Sequence, residues 1–268
     1  MPRASSNIIA IPELNGRELP RVTHIIDMLH KPWFAPWGAK LAAQYTVDKI
    51  KAWATELRDG WITPEELAVK ISKIDTDKLF TDAKKEHKRK GKEAADLGTR
   101  THEAIERWIR AQDGEQFDID RDLEKPFNAF LEWWNDNRIQ VILTEYRLWS
   151  LDGGGWTGRI DVLCYVADVL GIWDFKTSKE IYDEHILQNA AYFTGLKQKA
   201  GEMDIPPPEI GGVLRLDKED GYPHPHVFKE EELQMVYPAF VSLTQSWWQM
   251  RAFKKFLRER KKSLTQML

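Results

Sequence analysis

The segment IWDFKTSK, residues 172–179, ends an apolar run with an acid and a base, Asp174 and Lys176, one residue apart. On a β-strand, side chains two apart share a face. A carboxylate and an ammonium therefore point the same way at the end of a buried strand. A second acid, Asp161 in GRIDVL, interrupts another β-rich stretch, where Asp is disfavoured. If a turn near Ala167–Asp168 makes the two stretches antiparallel neighbours, facing residues have numbers summing to about 335, and Asp161 with Asp174 meets that sum. The two carboxylates then lie on adjacent strands, roughly 5 Å apart at the backbone. Like charges so placed repel unless a cation lies between them. Hard oxygen ligands of this kind suit Mg²⁺, which uses one or two protein carboxylates beside waters and phosphate oxygens. A lysine next to such a site orients or deprotonates a water, or neutralises phosphate charge. The plainer alternative is an ion pair on an exposed strand edge, with Asp161 in a turn or bulge.

The elements that must hold these residues are legible in outline. The first 138 residues read as mostly helical. Thr23 is placed to N-cap a short helix ending before Pro32, and further helices are expected over about 36–57, 64–75, 76–111 and 123–138. Gly114 and the acidic run around it end the fourth of these. The period then switches to two. Strands are expected over 140–149, 159–166 and 169–175, joined by short turns as an antiparallel meander. The turn SLDGGGWTG carries the hairpin signature of Asp-Gly and consecutive glycines. No helix follows Gly153–Gly155 and no Lys-Ser/Thr pair appears, so a hairpin turn accounts for these glycines better than a phosphate cradle. A helix over 183–200, a strand over 210–216, a fifth strand over 225–229 and a long amphipathic helix from about 230 to 260 complete the order. The expected architecture is α/β: a mixed sheet flanked by helices over 139–268, with a large N-terminal helical region over 1–138, together one compact domain.

In this order the motifs resemble the PD-(D/E)XK nuclease superfamily, specifically its RecB-like branch. Such proteins carry G-x-x-D, then D/E-x-K-T, then Q-x-x-x-Y on the next helix. The counterparts are Gly158 and Asp161, then Asp174, Lys176 and Thr177, then Gln188 and Tyr192. An upstream helix carries a histidine in a G-T-x-x-H context, matched by Gly98, Thr99 and His102, and Glu145 matches an acid often seen in the first strand. LPRVTHIIDMLHKPWFAPWGAKLAA is similar to the start of phage-encoded members. The resemblance spans roughly residues 20–195 and implies a restriction-endonuclease-like core and metal-assisted hydrolysis of DNA. Asp161 and Asp174, with the carbonyl of Phe175, would bind Mg²⁺ or Mn²⁺. His102 would add a ligand or hold a water, and Lys176 would assist the attacking water. Gln188, Tyr192, Glu145 and Thr177 would serve the substrate side. The iron–sulfur members need a set of cysteines, and this chain has one, Cys164, so a cluster-free member is implied. An exonuclease acting on ends, single strands or flaps is expected, with DNA and phage recombination or replication proteins as partners. A non-catalytic binding protein and a restriction-type endonuclease are the alternatives.

Composition sets the outer limits. The 268 residues are 42% hydrophobic and 30% charged, ordinary for a globular protein. A single cysteine excludes an internal disulfide and a four-cysteine metal site. No apolar run approaches the roughly 18 residues needed to cross a bilayer, and the N-terminal residues lack a signal-peptide core. A cytoplasmic protein with no membrane association is expected. The net charge of −3 is unevenly spread. Residues 82–92 hold six Lys/Arg against two acids, and residues 249–262 hold seven against one, leaving the remainder at −13. Basic stripes on an acidic body suit a polyanion held at one place, although solvated helix faces give the same pattern. HEAIE lacks the second histidine of a zinc-protease helix, since Glu106 stands in its place. The twelve tryptophans read mainly as core, with Trp133 or Trp134 available to stack on a base.

Overall fold

The computed structural model describes residues 8–29, 31, 34–111 and 118–266. Pro32 and Gly114, both expected near helix ends, lie outside the described residues. Two compact units are present: the described residues up to Leu29 together with those from Leu97 onward, and the described residues between 30 and 96. The division falls inside a helix at Leu97, whereas the switch of hydrophobic period placed a boundary at 138.

The first unit is built on a five-stranded mixed sheet of β3 (Ile139–Ser150), β4 (Trp156–Val166), β5 (Val169–Lys176), β6 (Ile210–Leu216) and β7 (Pro223–Lys229), in that spatial order. The first three strands form the expected antiparallel meander. β6 joins β5 in parallel after the crossover helix α6 (Asp183–Lys199), and β7 returns antiparallel. A separate hairpin of β1 (Ile8–Ile11) and β2 (Arg17–Pro20) precedes the short helix α1 (Val22–Ile26). Thr23 lies inside α1, whose N-cap is the extended Arg21 and carries no side-chain cap.

Helices cover both faces of the sheet. On one face, Ile105 and Ile109 of α4 (Thr76–Ala111) and Phe127, Phe130 and Trp133 of α5 (Glu124–Asp136) pack on Val162, Trp173, Phe175 and Leu214. On the other, α1, α6 and α7 (Glu230–Gln266) close over Leu148, Trp156, Ile160, Leu163 and Ile172. A central strand buried on both faces reads as a continuous apolar run, as β5 does up to Trp173. Trp133 is 3% exposed and its ring lies 5.1 Å from that of Trp173. Trp134 packs against Trp108 and Phe130. The Trp133 indole is thus committed to the core, while Trp134 is half-buried.

In the second unit, α2 (Phe34–Arg58) and α3 (Pro64–Ser72) bury no residue completely. The Thr63 hydroxyl accepts from the Glu66 amide and Glu66 reaches back to the Thr63 amide, a capping box that fixes the start of α3. The first basic stripe lies on the α4 residues of this unit, where Arg89 pairs with Glu86 and Glu93.

Candidate functional site

The turn between β4 and β5 consists of Ala167 and Asp168, both at positive φ (48° and 72°). A two-residue turn of this hand matches the twist of the flanking strands and pins their register. Val166 pairs with Val169 and the ladder continues to Val162 with Trp173. One step further along the same register lie Asp161 and Asp174. The Phe175 amide donates to Asp161 Oδ2 at 2.8 Å, so the two acids lie side by side on two interior strands, just past the last paired residues of the ladder.

α4 brings His102 over this pair. Its Nδ1 lies 3.2 Å from Asp161 Oδ1, with both side chains almost fully buried, and its ring meets Phe175 edge-on at 6.2 Å. Gly98, one turn earlier, admits Thr177: a Cβ there would lie 3.3 Å from the Thr177 hydroxyl oxygen. On the other side of Asp161 stands Glu145 of β3, between the pairs Thr144–Val162 and Tyr146–Ile160. A register shift between Val141 and Leu143 precedes it, and its φ is +48°, a left-handed conformation costing a non-glycine residue roughly 1 kcal/mol. Its side chain is 6% exposed and accepts from Arg159 Nη1 at 3.1 Å. His102, Glu145 and Asp161 each offer one ligand atom, and these atoms lie within 4.8 Å of one another. Glu145, expected on the substrate side, thus stands with His102 and Asp161.

Asp174 belongs to a second cluster. Lys176 Nζ lies 2.5 Å from Asp174 Oδ2 and donates to Gln188 Oε1 at 3.2 Å. Gln188 Nε2 donates to Asp174 Oδ1 at 3.0 Å and points toward the Tyr192 hydroxyl at 3.4 Å. Gln188 and Tyr192, one turn apart on α6, share a face as their spacing requires. Tyr192 is 3% exposed and fills the space above Gly158. Its visible part is to back Gln188, which in turn fixes the acid and the lysine. The Asp174 Oδ2 atom is buried and has a charge contact with Lys176 without a well-directed hydrogen bond.

The two carboxyls are driven in opposite directions. Burial acts to raise Asp161, but the charge and hydrogen bond of His102, the charge of Lys176 and the Phe175 amide outweigh it, and its pKa falls below the ordinary value. Asp174 is raised: burial dominates, the neighbouring charge of Asp161 adds to it, and Lys176 offsets only part. One site therefore contains a readily ionised acid beside one that resists ionisation. A cation placed between them relieves the strain on both.

Cys164 lies in the core beneath this site, its thiol pushed up to about 12 by burial, which leaves it an inert apolar side chain. Gly153–Gly155 form the tight β3–β4 turn with φ of 63°, 100° and 106°. Cβ atoms at these positions would strike Val241 O, Trp248 and Leu19 at 2.7–2.8 Å. The loop is packed, with no room to cradle a phosphate. Arg159 was not foreseen in the sequence, because its partner Glu145 is set by the irregularity in β3. Arg215, beside Lys176 across the parallel β5–β6 ladder and paired with Asp217, carried no motif either.

No model of a known protein family matches the chain, and no curated protein matches its sequence. No helix among the described residues is long and apolar enough to cross a membrane.

Proposed function

We propose that the protein is a divalent-metal-dependent deoxyribonuclease, an exonuclease or flap-type enzyme with a restriction-endonuclease-like core. The observation that carries this reading is the adjacency of two buried aspartates on neighbouring strands, with His102 and Glu145 on one side and Lys176, held by Gln188, on the other. The likeness of the motifs to the RecB-like branch of the PD-(D/E)XK nucleases supports the same chemistry. The donor set fits Mg²⁺ or Mn²⁺: hard carboxylate oxygens and one imidazole, with a buried Asp174 oxygen lacking a directed partner.

His102, Glu145 and Asp161 would hold the ion, with Asp174 and the Phe175 carbonyl as further donors. When bound, the ion polarises the scissile phosphate and lowers the pKa of water. Lys176 holds a positive charge at the mouth of the site, where it orients the attacking water and offsets phosphate charge. Gln188 keeps Lys176 and Asp174 in one geometry. Tyr192 and Gly158 fix Gln188 by close packing. Thr177, at the end of β5 beside α4, lies where the substrate backbone would pass. DNA is the proposed substrate, in a cytoplasmic setting, with phage recombination or replication proteins as partners.

The test is a cleavage panel of linear duplex, covalently closed circle, single strand and 5′ or 3′ flaps, each with Mg²⁺, Mn²⁺ or chelator. Metal-dependent loss of linear, single-stranded or flapped DNA with the circle spared is expected. Cutting of the circle at fixed positions selects a restriction-type enzyme. Binding without any turnover by pure protein overturns the catalytic reading.

A further inference from the structure

α7 changes character along its length. Its first half is core: Leu233, Phe240 and Thr244 are fully buried. Trp248 Nε1 then donates to the Gly155 carbonyl at 2.9 Å, and Arg251 Nη2 bonds Glu18 of β2 at 3.2 Å. Beyond that point every described side chain from Ala252 to Thr265 is exposed. This exposed half carries the second basic stripe. Arg251, Lys255, Arg258 and Lys262 follow one another at spacings of four, three and four, which places them in one line along a helix. With Trp248 and Lys261 they line the α7 side of a cleft of about 930 Å³, which Glu259, 3.8 Å from Lys255, shares.

The floor of this cleft is organised. The Arg251 guanidinium lies over the rings of Trp247 and Trp248, at 5.6 and 5.5 Å from their centroids. Its Nη1 is buried and has no acceptor among the described residues. Stacking on the two indoles and pairing with Glu18 fix this guanidinium at the head of the line, from which Lys255, Arg258 and Lys262 carry the positive charge along the cleft. From Arg251 to Lys262 the helix rises about 16 Å. Successive phosphates of one duplex strand are spaced about 3.4 Å along the axis, so the line covers roughly five of them.

We infer that this cleft is a nucleic-acid-binding site separate from the proposed metal site, gripping the phosphate backbone of the DNA that the metal site cuts. The inference deepens the nuclease reading and rests on it for the substrate. Charge selects the occupant. A second copy docked through the same helix would set one strongly basic segment against another. A lipid surface would take the exposed apolar residues Phe253, Phe256 and Leu257, which lie about 130–170° around the helix from the cationic line. The cleft is on the cationic side. Trp248 touches Gly155, and Gly155 is six residues before Asp161 on the chain, about 20 Å at strand rise. One continuous strand can reach both places.

The experiment uses the full chain and the variant R251A/K255A/R258A/K262A. Fluorescence anisotropy follows binding of a fluorescein-labelled 30-nucleotide single strand and a 30-base-pair duplex in chelator, so that cleavage plays no part. Loss of four phosphate contacts is expected to lower the salt slope by about 3.6 for duplex and about 2.8 for single strand, and to weaken binding roughly 100-fold at low salt. Far-UV circular dichroism and hydrolysis of bis-p-nitrophenyl phosphate with Mn²⁺ should be unchanged, since that small diester needs only the metal site. K84A/K85A/K88A/K92A removes equal charge from the first basic stripe and is expected to alter duplex binding far less. Wild-type affinity and salt slope in the α7 variant overturn the inference while leaving the nuclease reading intact. Binding of the wild type to phosphatidylserine vesicles in preference to DNA also overturns it. If the α7 variant loses DNA binding but the wild type cleaves nothing with any metal, the binding site stands and the nuclease reading falls.

Discussion

Gly158→Ala tests how the site is supported. A Cβ at this position would lie 2.3 Å from Tyr192 Cε1, 2.8 Å from Cζ and 2.7 Å from the hydroxyl oxygen. Carbon atoms rest at about 3.5–4.0 Å, so the overlap exceeds an ångström and involves a ring that is 3% exposed. Leu187 and Ala191, buried on the same helix, leave the ring little room to retreat. Overpacking of this kind costs about 1–3 kcal/mol, and the size of the overlap places Gly158→Ala at the upper end. Tyr192→Ala alone costs about 3–5 kcal/mol through the cavity it opens. In the double variant the new methyl enters that cavity, so the steric penalty disappears and the two costs fall short of their sum by about 1.5 kcal/mol or more. Urea unfolding followed by tryptophan fluorescence measures all four proteins, and 12 tryptophans supply the signal. Additivity within about 0.5 kcal/mol would show that Gly158 is not there to admit Tyr192, and the packing argument for the glycine of this motif would be wrong.

Mn²⁺ at 100 times its dissociation constant should stabilise the folded protein by about 2.7 kcal/mol; thermal unfolding of Asp161→Asn should show no such gain, and an unchanged gain would place the ion elsewhere. Lys176→Ala should cut DNA hydrolysis by about 10²–10⁴ with an unaltered circular dichroism spectrum, and near-normal turnover would remove the lysine from the mechanism. Burial acts to raise Asp217, but the Glu219 amide, Arg215 and the Asp220 amide hold it at about 2, below its ordinary 3.8. The stabilisation this provides is present above pH 4 and is lost as pH falls from about 4 to 2, worth about 1 kcal/mol after solvent screening. Asp217→Asn should flatten that part of the acid-unfolding curve, and an unchanged curve refutes the assignment. In chelator at neutral pH, Asp174→Asn should be as stable as the wild type or more so, because folding raises the Asp174 pKa and thereby penalises the ionised form; a loss above about 1 kcal/mol would make Asp174 a structural residue.

The parts of the site that the sequence discloses are those governed by local rules. A two-residue turn at Ala167 and Asp168 leaves one register for β4 and β5, so the adjacency of Asp161 and Asp174 follows from arithmetic. The helical spacing of Gln188 and Tyr192 follows in the same way. Residues that depend on irregular backbone are not recoverable. The shift between Val141 and Leu143 and the left-handed Glu145 decide that Glu145 stands with His102 and Asp161 and pairs with Arg159, and neither feature has a glycine or proline to announce it. The β1–β2 hairpin is a different case. Asn15 and Gly16, at φ of 53° and 76°, end a longer loop that opens with the 3-10 turn Pro12–Leu14, so no two-residue turn signature marks it, and strands of four residues carry too few alternations to stand out beside the helices that follow. The boundary between the compact units is hidden for another reason. α4 runs unbroken from Thr76 to Ala111, so no loop or composition shift marks Leu97.

The energetics of the aspartate pair bear on its purpose. Two adjacent buried acids cost stability, and replacing buried charges by well-packed apolar residues is often neutral or favourable. The pair is not needed for register or core: the β4–β5 register is set by the turn, and the flanking Val162, Ile172 and Trp173 already supply the core. Lys176 alone is an incomplete remedy, since Asp174 stays raised with the ammonium 2.5 Å away. A further positive charge completes the balance, and the carboxyl oxygens and imidazole that face the pair are the ligands a small divalent ion takes. The arrangement is therefore an unfavourable one for a structural ion pair and a suitable one for a site whose occupant arrives from solution. This is why removing the Asp174 charge in chelator and adding the ion to the wild type should each leave the protein at least as stable, since both relieve the same penalty.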